Sequence, residues 1–95
     1  MYGLIGKITS TTGQRATLAG ILLRGTGDMP GCLQYTIAED ATDPDVLWIS
    51  EVWTSAEAHA ASLKLPAVQA AIGEGRPLIA GMERIAATQP LSREA

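Results

Sequence analysis

The sequence predicts an α+β fold of the ferredoxin-like type, with the element order β-α-β-β-α-β and a four-stranded antiparallel sheet. Three observations predict it. Four segments have the apolar or alternating pattern of strands, helical stripes follow the first and third of them, and only a short polar loop joins the second to the third. The 95 residues are enough for one domain, covering 1–95.

The first half of the chain predicts a strand, a helix and a second strand. Residues 2–9 form the first strand, whose two glycines leave room for close approach by backbone or a ligand. Residues 14–24 form a helix, because apolar residues recur there at offsets of three and four. Residues 32–39 alternate, so one face of the second strand carries Leu33, Tyr35 and Ile37.

The second half predicts a strand, two short helices and a last strand. Residues 46–54 form the third strand, and Ser55 can cap a helix over 56–64. Pro66 can open a further helix at its first turn, with Val68 on its apolar side and glycines at 73 and 75 ending it. Residues 78–87 form the last strand.

The third strand is apolar on both faces, which predicts a homodimer. One face carries Leu47, Ile49 and Trp53, and the other carries Val46, Trp48 and Val52. The helices can cover only one face of the sheet, so a second copy is expected to cover the other, sheet against sheet. An obligate interface of this kind buries on the order of 2,000 Å².

Composition and charge exclude several classes of protein. The net charge is −3 and no basic stripe is present, so we expect no nucleic-acid partner. No apolar run reaches the roughly 20 residues that span a bilayer, so we expect no membrane association. A single cysteine and an N-terminus unlike a signal peptide favour a cytoplasmic protein. No histidine or cysteine cluster has the spacing of metal ligands, so no metal is expected.

The segment from Trp48 to His59 contains the candidate catalytic residues. Strand alternation places Glu51 and Trp53 on one face, and His59 falls on the apolar stripe of the next helix with Leu63. We therefore expect Glu51 and His59 to act as proton-transfer groups beside an indole wall. The residues expected to line the substrate pocket are Trp53, Ile49, Leu47, Tyr35, Leu63 and Val68.

Each of these residues also has a purely structural interpretation. A single histidine on an apolar helix face can be a core residue with one hydrogen-bond partner. Glu51 could instead bind a backbone donor or pair with Arg84, and both tryptophans could be packing residues. Cys32 is expected to be inert packing. Periodicity alone leaves these alternatives open.

Three motifs resemble the antibiotic biosynthesis monooxygenase family of dimeric α/β barrels. They are Met29-Pro-Gly-Cys-Leu-Gln-Tyr35, Glu51-Val-Trp-Thr-Ser-x-Glu-Ala-His59 and Ser62-Leu-Lys-Leu-Pro66. The similarity extends over roughly residues 2–86. It implies a ferredoxin-like protomer, a dimer whose two sheets face each other, and a pocket between sheet and helices in each protomer.

The resemblance also implies a range of functions. The family includes oxygenases that need no cofactor and act on electron-rich aromatics such as anthrones or hydroquinones. Its haem-degrading members are recognised partly by an asparagine on the first strand, and this chain contains no asparagine. Anthrone oxygenases often have an asparagine near the tryptophan, where this chain has Ile49. That difference leaves the identity of the base open.

Two hypotheses follow from residues and resemblance together. The first is a cofactor-independent monooxygenase that oxidises a small aromatic, with Glu51 or His59 as the base and Trp53 as a pocket wall. The alternative is a dimeric small-molecule-binding protein or isomerase of the same fold, without oxygenase chemistry. The two differ in whether oxygen is consumed.

Overall fold

The computed structural model describes residues 1–92, so the last three residues of the predicted domain lie outside the described part. The strands are β1 (Tyr2–Ser10), β2 (Cys32–Glu39), β3 (Val46–Trp53) and β4 (Ile79–Thr88). They form one antiparallel sheet in the order β2-β3-β1-β4, which confirms the ferredoxin-like prediction. A 3₁₀ turn over Arg76–Leu78 precedes the last strand. The helices are α1 (Arg15–Gly25), α2 (Ala56–Ser62) and α3 (Pro66–Gly75).

Both short helices begin where local chemistry predicts. The Ser55 Oγ accepts a hydrogen bond of 3.1 Å from the Ala58 N–H, which satisfies one free donor at the start of α2. Pro66 opens α3 in its first turn, where its missing N–H costs nothing. Helix α1 begins after Gln14, whose side chain makes no capping hydrogen bond.

Helix α3 continues through Gly73, the first of the two glycines expected to end it, and stops at Gly75. Packing explains the extension. Gly75 is buried, and a Cβ on it would lie 3.1 Å from the Leu18 Cδ1 atom, so the end of the helix lies close against α1. Close contact between the helices outweighs the roughly 1 kcal/mol that a glycine costs within a helix.

The prediction of which α2 residues face the core was only partly right. His59 points inward, with a side chain that is 17% exposed, but Leu63 is 47% exposed. The buried residue of this helix is Ser62, whose hydroxyl donates to the His59 carbonyl oxygen at 2.6 Å. A hydroxyl that donates a hydrogen bond to a carbonyl oxygen of its own helix can be buried, because its donor is satisfied.

The core lies between the sheet and the helices in two clusters. One contains Ile8, Leu18, Leu47 and Ile49 at the end of the sheet under α1. The other contains Met29, Trp53 and Val68 under the two shorter helices. A cavity lies beside both clusters, with residues from each in its wall.

Within residues 1–92, no helix covers the opposite face of the sheet. Register places Ile5, Lys7 and Trp48 on it, together with Ser50 and Val52. Ile5 is 36% exposed, and Trp48 and Val52 are half-buried. In residues 1–92, no helix is long and apolar enough to cross a membrane.

Candidate active site

A cavity of about 460 Å³ opens between the sheet and the helices. Its floor comes from all four strands, and its roof comes from all three helices. Most of the wall is apolar, which suits a flat organic ligand. The polar groups that enter this wall include Glu51, His59, Tyr35 and Arg84.

Glu51, Trp53 and His59 meet at one end of the cavity. The Trp53 indole Nε1–H donates a hydrogen bond of 2.9 Å to the Glu51 Oε1 atom. The His59 Nε2 atom lies 3.9 Å from the same carboxylate oxygen, which is ion-pair distance when the ring is protonated. The Glu51 side chain is only 14% exposed, so this carboxylate lies mostly out of water. The indole and the imidazole both approach Oε1, and Oε2 makes no hydrogen bond to another described residue.

Aromatic rings hold the imidazole in place. The His59 ring lies edge-on to Trp53, with centroids 5.4 Å apart and planes at 70°. The Tyr2 ring is also close to it, with centroids 6.0 Å apart and planes at 45°. Such contacts contribute about 0.5–1.5 kcal/mol each beyond simple burial. They restrict the ring to positions near Glu51.

The Met29–Cys32 motif forms a turn that packs against α2. The Cys32 N–H donates to the Met29 carbonyl oxygen at 3.1 Å, with Pro30 and Gly31 at the two central positions. Gly31 has φ of 80°, which favours glycine at the third position of such a turn. A Cβ on Gly31 would lie 2.7 Å from the Ala58 Cβ, so α2 packs directly on the turn. The motif thereby fixes the helix that carries His59.

Tyr35 supplies a protonated hydroxyl to the cavity. It is the cross-strand partner of Glu51, on the face of β2 towards the helices. Burial, followed by the charges of Glu51 and Cys32, raises the Tyr35 pKa well above its ordinary range. The phenol therefore remains protonated at neutral pH and can donate a hydrogen bond, but it cannot act as a base.

Cys32 lies at the edge of this site and its thiol is also protonated at neutral pH. Burial is the main cause that raises its pKa, and its contact with the Gln34 carbonyl oxygen at 3.5 Å partly offsets this. A thiol is a poor nucleophile when it stays protonated. The inert interpretation of Cys32 agrees with this environment.

The structure places most of the expected pocket residues in the cavity wall. Ile49, Tyr35, Val68 and Leu63 line it, although Leu63 is at the exposed rim. Leu47 does not line the cavity: its side chain is 0% exposed and packs with Leu18 in the core cluster under α1. Alternation gave Leu47 the correct face of the sheet, but that part of the face is covered by α1.

The charged contacts of the described residues bear on the alternative in which Glu51 pairs with Arg84. Among residues 1–92, Arg15–Glu39 and Arg24–Glu74 are within ion-pair distance, and the basic group at that distance from Glu51 is His59 rather than Arg84. The same part of the chain contains no group of three or more His, Cys, Asp or Glu residues arranged to hold a metal ion.

Sequence reasoning missed several wall residues. Leu4 and Gly6 form the floor on β1, Leu22 and Thr26 enter from α1 and its end, and Met82 and Arg84 enter from β4. The glycines of the first strand were the one available signal, since they predicted room for a ligand. At Gly6 that room exists: the nearest atom to an added Cβ is the Glu83 carbonyl oxygen at 3.6 Å. At Gly3 the space is already filled by Thr88 and Pro90.

The fold and the site define a small α+β protein with an apolar ligand cavity and a buried carboxylate–imidazole pair at one end of it. The family description "Antibiotic biosynthesis monooxygenase" matches residues 1–74. The chain therefore belongs to the antibiotic biosynthesis monooxygenase family.

Several solved structures are similar to this chain over nearly its whole length. A candidate antibiotic biosynthesis monooxygenase from Chloroflexus aurantiacus is 54% identical, with a TM-score of 0.94 over 99% of this chain and 96% of that one. Another from Deinococcus radiodurans is 25% identical, with a TM-score of 0.80 over 100% and 97% of the two chains. A mutant of SnoaB, a cofactor-independent oxygenase from Streptomyces nogalater, has a TM-score of 0.80 at 17% identity, over 97% and 94%, and shares the fold. A search of curated proteins found no match to this chain.

Proposed function

We propose that this protein is a cofactor-independent monooxygenase that oxidises a small electron-rich aromatic, of the hydroquinone or anthrone type, with dioxygen. One observation carries the proposal: the Glu51 carboxylate, held by Trp53 and next to His59, lies in the wall of an apolar cavity. Membership of a monooxygenase family supports it. Glu51 is the base, His59 assists it, and Trp53 orients the carboxylate as well as forming a wall.

The chemistry needs only a positioned base, an apolar cavity and oxygen. Glu51 takes a proton from the bound anthrone, which leaves a resonance-stabilised carbanion. The carbanion transfers one electron to dioxygen, and the resulting radical and superoxide combine into a carbon–oxygen bond. After protonation the product is a hydroperoxide, which loses water to give the ketone. One oxygen atom thus enters the product and the other leaves as water.

The side chains around the base have separate tasks. The apolar wall, with Ile49 and Val68, excludes water from the reactive carbanion and the peroxide. The protonated Tyr35 hydroxyl can donate a hydrogen bond to a substrate carbonyl that becomes negatively charged. His59 exchanges a proton with Glu51 between turnovers, a role supported by its Nε2 atom lying 3.9 Å from the Glu51 Oε1 atom.

Oxygen uptake tests the proposal. The protein is incubated in the dark with a panel of anthrones and reduced quinones, and uptake is compared with each compound's own autoxidation and with a chelated sample. We expect uptake above the blank that survives chelation. Absence of uptake across the panel would contradict the proposal and favour the binding-protein or isomerase alternative.

We further propose that two copies pair through the face of the sheet opposite the helices. The register places Ile5, Trp48 and Val52 on this face, and each is at least partly exposed in the single chain. Light scattering on a size-exclusion column should give twice the 9.9 kDa chain mass. A monomer at micromolar concentration would contradict pairing, and the substitution Val52→Glu should convert a dimer into monomers.

A further inference from the structure

The second end of the cavity carries a positive charge with no negative partner among residues 1–92. Arg84 lines the cavity from β4, and its side chain is exposed to solvent at the mouth. It takes part in none of the ion pairs that the structure shows in this part of the chain, which are formed by Arg15, Arg24 and His59. A guanidinium free of such a partner keeps its five donors available for an incoming ligand.

Sheet register fixes where Arg84 lies relative to the base. Arg84 is directly opposite Gly6, which is directly opposite Ile49, so all three face the helices in one row across the floor. Glu51 belongs to the next row, opposite Leu4. Arg84 and Glu51 are two strands apart across the sheet and two residues apart along it. Their Cα atoms are therefore separated by about 12 Å.

Gly6 leaves this line across the floor open. It lies between Arg84 and Ile49, and because it has no side chain, nothing projects from β1 at that point of the row. A flat ring system can therefore rest on the backbone of Gly6 with one end towards Glu51 and the other towards Arg84.

Two other charged residues border this end of the cavity, and they offset each other. Lys7 and Glu83 are cross-strand partners on the opposite face of the sheet. The Lys7 Nζ lies 5.8 Å from the centre of the Trp48 ring on that face. Opposite charges on paired residues largely cancel at a distance. Arg84 is left as the charge that a ligand in the cavity meets at its mouth.

We infer that the cavity selects a hydroxylated bicyclic or tricyclic aromatic that carries a carboxylate, with the ionisable ring position at Glu51 and the carboxylate on Arg84. The inference rests on the proposed function, because it names the substrate class of the same cavity. Arg84 is then a specificity-determining residue: it binds the end of the substrate remote from the chemistry. Arginine suits this role because its planar fork matches a carboxylate.

Calorimetric titration with a matched ligand pair tests the inference. The ligands are 6-hydroxy-2-naphthoic acid, an anion at neutral pH, and its uncharged methyl ester. We expect the wild-type protein to bind the acid about fivefold more tightly than the ester, the range of a partly exposed charge pair. The substitution Arg84→Met should make the two affinities equal. The control Arg76→Met removes the same charge from an exposed residue outside the cavity wall and should keep the preference.

The outcomes separate this inference from the proposed function. Equal affinities in the wild type, a preference that survives Arg84→Met, or no binding of the acid would each overturn it, even if neutral hydroquinones are oxidised. Conversely, an Arg84-dependent preference would support it even if no compound in the oxygen-uptake panel is turned over.

Discussion

The two tryptophans make the same hydrogen bond on opposite faces of one sheet, yet their surroundings differ. Trp53 faces the helices, is 1% exposed, and donates its indole N–H to Glu51 at 2.9 Å. Trp48 faces away from the helices, is half-buried, and donates to the Asp40 Oδ1 atom at 2.7 Å. Each indole therefore binds a carboxylate.

The difference lies in what else each carboxylate binds. Asp40 also accepts hydrogen bonds from the Asp43 N–H at 2.8 Å and from the Thr42 N–H and hydroxyl at 3.1 and 3.2 Å. These bonds tie the β2–β3 loop together, and they occupy the acceptors of Asp40. Glu51 accepts one hydrogen bond from a described residue and has a histidine 3.9 Å away. A carboxylate with a free oxygen in a cavity can act on a ligand, whereas a saturated one only supports the loop.

Replacing each tryptophan with alanine should give the largest difference between the two faces, measured as the free energy of unfolding. Trp53→Ala removes a fully buried ring from the second core cluster and should lower the free energy of unfolding by about 3–5 kcal/mol. Trp48→Ala removes a half-buried ring and should cost about 1 kcal/mol in the monomer. Urea denaturation at low protein concentration measures both. Equal losses would show that the two faces do not differ in packing as described.

Removal of the indole N–H alone should separate function from packing. Trp53→Phe keeps an aromatic ring beside His59 but leaves Glu51 without its hydrogen-bond donor. Because a misplaced base loses rate steeply, turnover should fall about tenfold to a hundredfold. Trp48→Phe makes the same chemical change outside the cavity and should leave turnover unaltered. A similar fall in both variants would contradict the assignment of Trp53 as a positioning residue.

The smallest effect should be the pH-dependent stability that Asp40 provides. The Asp43 N–H, then the Trp48 indole and the Thr42 N–H, hold the pKa of the Asp40 carboxyl well below its usual range. A carboxyl whose pKa is depressed by folding stabilises the fold above the pKa of the unfolded chain, and this stability is lost as pH falls further. Asp40→Asn should therefore destabilise slightly at pH 7, and the difference should shrink below about pH 4.

Thermal unfolding of the wild type and Asp40→Asn at pH 7, 5 and 3 measures this linkage. The gap between the two melting temperatures should be the same at pH 7 and pH 5 and smaller at pH 3. A gap that stays constant would mean that the ionised carboxylate contributes nothing to the loop.

The fold and the faces of the β3 residues were predictable from sequence, because alternation with a period of two holds along a strand without a bulge. It placed Ile49, Glu51 and Trp53 together on β3, as the structure shows. Alternation cannot tell which part of a face a helix covers, so Leu47 was expected in the pocket but lies in the core. Helix α2 has only seven residues, mostly alanines, too few to define which side is buried.

The position of Arg84 in the cavity floor was not predictable from the local sequence pattern. A register shift between Ile5 and Gly6 changes which residues of β4 face the helices. Bulges of this kind depend on the pairing of two strands that are distant in the chain, and neither strand reveals it alone. The Arg84–Gly6–Ile49 row emerges only when β1 lies between β3 and β4.

Oxygen uptake by the matched variants Glu51→Gln and Asp40→Asn tests the central claim most directly, with the hydroquinone or anthrone that the wild type consumes fastest. Each substitution replaces a carboxylate that binds an indole with a neutral amide of the same shape. With Glu51 as the base, turnover should fall by about 10²–10⁴ in Glu51→Gln and stay unchanged in Asp40→Asn. Wild-type turnover in Glu51→Gln, or equal losses in both, would contradict the assignment of Glu51 as the base.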